Sequence, residues 1–456
     1  MPSRANGGER LLLTYHGDDT TGSTDSLEAA AMAGIPAMLY LAPPTPADLA
    51  EHPELRVIGV AGTSRSRPPE WMNANLPGVF TKLKALGAPL CHYKTCSTFD
   101  SSPTRGSIGR AIEIGIDVFG GPALVVVGVT SLNRYVVFSN LFASEAIAGA
   151  QEIFRIDRHP TMSRHPTTPM NEADLRLHLA RQTSLPIAGF NFVEMLADDA
   201  ESRLAECTNS AKVVILDTFD ARTTRYTGQL LAHYSASAPA FVAGSSGVEY
   251  ALFDHLAAEG KIPIVPPPAP RGAADKVVAV FGSCSPVTER QIAWAETNGL
   301  GVIGANTPGL IEDGSRSEAA LSAKVAQSLS QHAGVVLYTA RGPADPDISR
   351  TRAVLEKFTR GGSDAAQPLG ESLGRVLKSV IERTGVRRVV LGGGDTSSYA
   401  VRQMGVRSLE VAGPLVRGAP LCRIHAGDRM MDGVEIALKG GQVGQPDFLA
   451  RLFAGH

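Results

Sequence analysis

Leu11-Leu12-Leu13-Thr14-Tyr15-His16-Gly17-Asp18-Asp19-Thr20-Thr21-Gly22-Ser23 is an apolar run that empties into glycine, acids and hydroxyls. Arg388-Val389-Val390-Leu391-Gly392-Gly393-Gly394-Asp395-Thr396-Ser397-Ser398 repeats the plan near the other end of the chain. Each reads as a buried parallel strand, a tight glycine turn and the start of a helix. In open α/β sheets, ligands bind outside the carboxyl ends of the strands. The first turn offers carboxylates and hydroxyls; the second offers glycine backbone able to wrap a phosphate. Two turns of different chemistry, far apart in the chain, predict two sites on two domains.

Working outward, 456 residues exceed one ordinary core, and two α/β domains are expected. Hydrophobic residues make up 43% and charged residues 19%, the balance of a globular protein. A net charge of −2 gives no global attraction to nucleic acid or an anionic membrane, so neither is expected as a partner. Any anion must be held by local clusters. Met1 to Gly8 lacks the apolar core of a signal peptide, and no apolar run reaches the ~18 residues of a membrane span. A cytoplasmic protein is expected. Cys91, Cys96, Cys207, Cys284 and Cys422 form no C-x-x-C pair, so neither a zinc site nor a disulfide framework is expected. No residue is assigned to a metal.

Strand-like runs at 37–41, 56–61, 90–94, 123–127, 213–216 and 240–243 are spaced by helical segments, the first over Thr24–Ala33. That alternation predicts βαβ units around a mainly parallel sheet. Ile264-Val265-Pro266-Pro267-Pro268-Ala269-Pro270 is a stiff connector. Beyond it the alternation restarts at Val277–Phe281, with a helix from Thr288 to Asn298 and later strands at 335–338 and 389–391. One domain is placed at 1–265 and another at 273–456, with the active site expected in the cleft between them. Lys357 to Gln367 reads as a polar, glycine-rich mobile loop. Phe154 to Met170, with three prolines, three arginines and two histidines, has no regular period and reads as a binding loop or a solvated one.

Asp18 and Asp19 exceed what one helix cap needs, and they stand beside Thr20, Thr21 and Ser23. Such a loop suits a polyhydroxylated substrate, with one carboxylate placed to take a proton as general base. Lys94 leads into Thr95-Cys96-Ser97-Thr98-Phe99-Asp100, with Arg105 and Gly106 beyond. Ser64-Arg65 and Arg134 add further polar groups in loops, and a small carboxylate would be gripped best by a bidentate arginine. Gly282-Ser283-Cys284-Ser285 and Gly393-Gly394-Asp395-Thr396 follow strands and could cradle phosphate against a helix start. Neither fits G-x-x-x-x-G-K-[ST] or G-x-G-x-x-G. Gly440 to Gly444, after Lys439, is explained well by a hairpin turn.

In this order the motifs resemble the four-carbon acid sugar kinase family over nearly the whole chain. The carriers are Asp18-Asp19-Thr20-Thr21-Gly22; Lys94, Ser97, Thr98, Arg105 and Gly106; His165-Pro166-Thr167-Thr168-Pro169-Met170; Gly282 to Ser285; Gly393 to Thr396; and Lys439, Gly441 and Gly444. The resemblance implies an N-terminal domain that holds the acid and a C-terminal domain that holds ATP. It implies an ATP- and Mg²⁺-dependent kinase of threonate, erythronate or a 3-oxo-tetronate. Asp18 and Asp19 would then be catalytic. Thr20, Ser64, Arg65, Lys94, Ser97, Asp100, Arg105, Arg134 and His165 would meet the acid, and Gly282 to Ser285, Gly393 to Thr396 and Gly441 the nucleotide. The family segment Lys-x-Asp-Ser-Thr-Leu-Arg-Gly is altered here. Cys96 replaces the acid, and Asp100 to Thr104 is inserted before Arg105. A branched acid such as 3-oxo-isoapionate is the alternative substrate. A nicotinamide-dependent dehydrogenase and a non-catalytic sugar-acid sensor are the rival classes. A homodimer is the expected assembly.

Overall fold

The computed structural model describes residues 11–147, 150–165, 167–359 and 366–456. The chain forms two compact units. The first comprises residues up to Asp18, Ala29–Met38 and Ala42–Pro267; the second comprises Pro268–His456 together with Asp19–Glu28 and Leu39–Leu41.

Among the described residues, eleven strands precede the proline run: β1 (Leu13–Gly17), β2 (Ala37–Tyr40), β3 (Val57–Ala61), β4 (Leu90–Lys94), β5 (Ala123–Val126), β6 (Arg134–Val137), β7 (Asn140–Ile147), β8 (Ala150–Arg155), β9 (Ile187–Phe190), β10 (Val213–Leu216) and β11 (Ala240–Gly244). In the first unit β3, β1, β4, β11, β5, β10 and β9 pair in that order, all parallel. β3, β5 and β10 are buried at every position, which explains their unbroken apolar runs, because helices cover both faces of a parallel sheet. Register sets Ala61, Gly17, Lys94 and Gly244 in one row at the carboxyl edge. β6, β7 and β8 form a separate antiparallel sheet.

The second unit continues with β12 (Val277–Phe281), β13 (Gly301–Gly304), β14 (Gly334–Tyr338), β15 (Arg388–Gly392), β16 (Val406–Val416), β17 (Ala419–Ala426) and β18 (Glu435–Lys439). The order β13, β14, β12, β15, β18 is parallel, and β17 and β16 follow antiparallel. Leu39 and Tyr40 of β2 add to β16 within this unit.

Three expectations need correction. The first helix spans Thr20–Met32, so it begins inside the acidic turn rather than after it. Of the loop expected at 357–367, residues 360–365 lie outside the described residues, and helices reach Thr359 from one side and start at Ala366 on the other. The expected hairpin after Lys439 is absent: β18 is parallel to β15, and the chain turns there toward the helix Phe448–Ala454. Among the described residues no helix is long and apolar enough to cross a membrane.

Candidate active site

In the first unit the strand ends hold a polar network built on Asp100. The buried Asp100 carboxylate accepts two hydrogen bonds from Arg65 Nη2, each 3.0 Å. Thr98 donates to it at 2.6 Å and Thr168 at 2.9 Å. Burial pushes the carboxyl up, but Arg65, Thr98, His165 and Thr168 outweigh it and hold Asp100 below its ordinary value. His165 Nδ1 accepts from the Thr168 backbone N–H at 3.1 Å, which orients the imidazole. Burial, with Arg65 adding to it, pulls His165 down, so its neutral form is favoured. The irregular segment Phe154 to Met170 thus delivers Thr168 and His165 to the strand ends; Pro166 lies outside the described residues.

The acidic turn is tied to the same edge by backbone. Asp18 N–H donates to the Lys94 carbonyl at 2.8 Å, and Arg65 N–H to the Asp18 carbonyl at 3.0 Å. Lys94 is buried, its Nζ 3.0 Å from the Thr95 carbonyl. Ser64 Oγ lies 2.9 Å from the buried Tyr93 hydroxyl, and Ser97 is half-buried. Cys96 Sγ lies 2.9 Å from Thr98 Oγ1. Arg134 Nη1 donates to the carbonyls of Leu132, Asn133 and Ser144. Arg105 lies in a tight turn closed by Ser102, whose Oγ accepts the Arg105 N–H at 3.0 Å. The guanidinium on Asp100 is that of Arg65.

The second unit gathers the glycine turns. Asp19 does cap the first helix, accepting the Gly22 N–H. Its other oxygen lies against the second glycine turn, where a Cβ on Gly394 would stand 3.4 Å from Oδ2. Thr20 N–H donates to Ser398 Oγ at 3.0 Å. Gly393 has φ +121°, a conformation that favours glycine. It precedes the ten-residue helix Gly394–Gln403, which begins with Asp395 and Thr396 in its first turn and has no side-chain cap. Ser397 Oγ, buried in that first turn, has no hydrogen-bond partner among the described residues. A Cβ on Gly282 would stand 2.4 Å from Thr396, and one on Gly441 2.2 Å from Ser283 Oγ. Ser285 caps the helix Pro286–Thr297 through Thr288 N–H at 3.1 Å and also donates to the Gly441 carbonyl. Cys284 is an exposed thiol. An open helix start, an unpartnered hydroxyl and close-packed glycines suit a phosphate chain. Among the described residues no group of three or more metal-ligating side chains occurs.

Reading the sequence missed Thr168 as an Asp100 partner, and also Glu145 and His159, which pair at 3.2 Å near Arg134. It also passed over Gly244-Ser245-Ser246-Gly247, a third strand–glycine–helix turn beside Lys94. Its signal was present, since it repeats the pattern of the two quoted stretches.

Residues 13–252 match the family profile described as a sugar-binding N-terminal domain, and residues 278–449 one described as a nucleotide-binding C-terminal domain. The chain is 42% identical over 450 residues to a 3-oxo-isoapionate kinase of Paraburkholderia graminis, covering 98% of this chain and 95% of that protein. It is 25% identical over 449 residues to a 3-oxo-tetronate kinase of Pseudomonas fluorescens, covering 97% and 96%. A crystal structure from Salmonella typhimurium, described as a putative tRNA synthase, superposes with TM-score 0.72 at 19% identity, over 97% of this chain and 98% of that one. A Haemophilus influenzae protein of the DUF1537 family gives TM-score 0.64, also at 19%, over 96% and 98%. At that identity the two structures carry the fold alone.

Proposed function

The chain belongs to the four-carbon acid sugar kinase family, and from that premise we propose that it transfers the γ-phosphate of ATP to a hydroxyl of a sugar acid of the 3-oxo-isoapionate type. The observation that carries the choice of acid is the 42% identity, over 98% of the chain, to a kinase of that acid, against 25% to a 3-oxo-tetronate kinase. The altered segment agrees with it. The position of the family acid is held by Cys96, and the nearby carboxylate is Asp100, already bonded by Arg65, Thr98 and Thr168.

In this reading Arg65 and Lys94 grip the substrate carboxylate. Asp100 is then a positioning residue, because it fixes the guanidinium without spending its own charge on the acid. Ser97, Arg134, His165, Ser64 and Arg105 of the first unit are further contacts for the acid in this reading, and Thr20, bonded to Ser398 in the second unit, is another candidate. Asp18 or Asp19 takes the proton of the accepting hydroxyl, whose oxygen bonds to the γ-phosphorus as the bond to the β-phosphate oxygen breaks and ADP leaves. Gly282 to Ser285, Gly393 to Thr396 and Gly441 surround the phosphates, with N–H groups other than those of Gly282, Ser285 and Gly393, which are bonded within the protein, and with the positive end of the helix Gly394–Gln403. Mg²⁺, bound to the phosphates, supplies charge neutralisation. Little covalent work falls to the protein; positioning and electrostatics dominate.

The test is a coupled ADP-release assay with MgATP on 3-oxo-isoapionate, 3-oxo-tetronates, threonate and erythronate. The expected result is the highest kcat/KM on 3-oxo-isoapionate. A higher value on a 3-oxo-tetronate would overturn the choice of acid and leave the kinase reading standing. No turnover on any of them, with no nucleotide bound, would overturn both.

A further inference from the structure

Lys439, the last residue of β18, is fully buried beneath the turn Gly440–Gly444. Its Nζ stands 5.0 Å from the ring centroid of Phe281 and 5.7 Å from that of Phe448. The nearest acceptors are the carbonyls of Gly440 at 3.4 Å and Val443 at 3.5 Å, long for bonds from a charged donor. Room for the stem comes from Gly392, opposite in register, where a Cβ would lie 3.3 Å from Lys439 Cε.

Among the described residues, what the ammonium lacks is an anion. Against it β12 presents Phe281, β15 presents Gly392, the helix Phe448–Ala454 presents Phe448, and the turn presents carbonyls. None of these is charged or titratable. Aromatic faces compensate a cation in part, but an unpaired charge in an apolar interior is costly. Both glycine turns assigned above to phosphate meet at this residue. The Lys439 carbonyl accepts the Gly393 N–H at 2.9 Å, and the chain leaving it forms Gly440 and Gly441, whose carbonyl is bonded by Ser285 and Thr288.

We propose that Lys439 is the buried charge partner of the nucleotide phosphates, and that binding the nucleotide draws a proton onto its Nζ. The proposal rests on the reading that the second unit binds nucleotide. Burial pulls the Lys439 ammonium down to about 7, so above neutral pH the nucleotide-free protein holds mainly the neutral amine. A phosphate held by the neighbouring turns favours the charged form and raises that value, so one proton passes from solvent to the amine. No other bond changes. Lys439 is thus a positioning residue whose charge follows the ligand.

Isothermal titration of MgADP into the whole protein, in HEPES and in Tris, measures the protons exchanged. Uptake close to one proton per nucleotide is expected at pH 8 and close to none at pH 6. Lys439→Arg, with a fixed charge, is expected to bind without uptake at either pH. Lys439→Met is expected to bind roughly tenfold more weakly or worse, also without uptake. Binding to the unaltered protein at pH 8 with no uptake overturns the proposal and leaves the nucleotide reading intact. Uptake that persists in Lys439→Arg overturns it as well, since another group is then titrating. No binding of MgADP or MgATP at all overturns both. Should the variants fail to fold, uptake on the unaltered protein at pH 8 and pH 6 still decides.

Discussion

Asp100→Asn keeps the shape of the side chain and removes the charge that Arg65 faces. The change is expected to destabilise the protein by about 1–3 kcal/mol, the scale of a broken charge-assisted hydrogen bond, and to raise KM for the acid more than it lowers kcat. Asp100 lies below its ordinary value in the fold. Its contribution is therefore present above the unfolded-state value and lost as pH falls through the lower folded one. Urea denaturation of both proteins at pH 7 and pH 3 checks this: the gap between them should shrink at pH 3, and a constant gap would deny the carboxylate its role. The adjacent acids divide differently. Asparagine caps a helix about as well as aspartate, so Asp19→Asn is expected to melt within about 0.5 kcal/mol of the unaltered protein. At least one of Asp18→Asn and Asp19→Asn should lower kcat by ~100-fold, the low end for a lost general base. If neither does, the base is elsewhere. That Asp18, Asp19, Arg65 and Lys94 stand at or just beyond strand ends was legible because it is a local pattern. Thr168 was not, because its bond to Asp100 spans 68 residues and leaves no periodic trace.

The first helix carries a second pair of acids, Asp25 and Glu28, both buried. Burial, with Asp25 adding to it, pushes the Glu28 carboxyl up to about 8, although Glu28 Oε2 accepts the Gly418 N–H at 2.7 Å. The folded state therefore holds a proton that the unfolded chain releases above the ordinary carboxyl value of 4.5. Stability attributable to this group falls as pH rises from 4.5 toward 8. Glu28→Gln keeps an acceptor for Gly418 and carries no charge. It is expected to be more stable than the unaltered protein at pH 8, on the order of 1–3 kcal/mol, and near equal at pH 5. Thermal melts at the two pH values measure it, and an equal difference at both would rule out charge burial as the cause. Elements of this kind divide by how local their cause is. β10 and β12 run where the apolar runs placed them, because a strand buried on both faces reads as a near-continuous apolar run, whereas β4 also buries His92 and Lys94, each held by a hydrogen bond to a backbone carbonyl. β16 and β17 carry arginine, glutamate and histidine among their apolar residues and include register shifts. Their pairing was invisible to a search for unbroken hydrophobic stretches.

The whole molecule departs furthest from what a linear reading can hold, because the second unit is not continuous in sequence. Asp19–Glu28 and Leu39–Leu41 belong to it, although the proline run lies far downstream of both. Their contributions are specific. Leu39 and Tyr40 pair with Leu409 and Ser408, Leu41 N–H donates to the Arg407 carbonyl at 3.0 Å, and Arg402 Nη1 donates to the Leu41 carbonyl at 2.7 Å. Glu28 bonds Gly418, and Ser398 bonds Thr20. A fragment beginning at Ala273 loses all of these at once. Its β16 is left with an unpaired edge beside the otherwise buried Leu409, the arrangement that invites intermolecular pairing. The fragment Ala273–His456 is expected to aggregate, or to unfold in urea with a shallower and earlier transition than the same unit shows in the full chain. Saturating MgATP, at about 100 times its dissociation constant, should add about 2.7 kcal/mol to that unit in the full chain and far less to the fragment, because Thr20 no longer bonds Ser398 beside the glycine turn proposed to hold phosphate. A fragment that is monomeric, cooperative and as strongly stabilised by MgATP as the full chain would show that the two N-terminal segments are ornaments of the second unit, not parts of its fold.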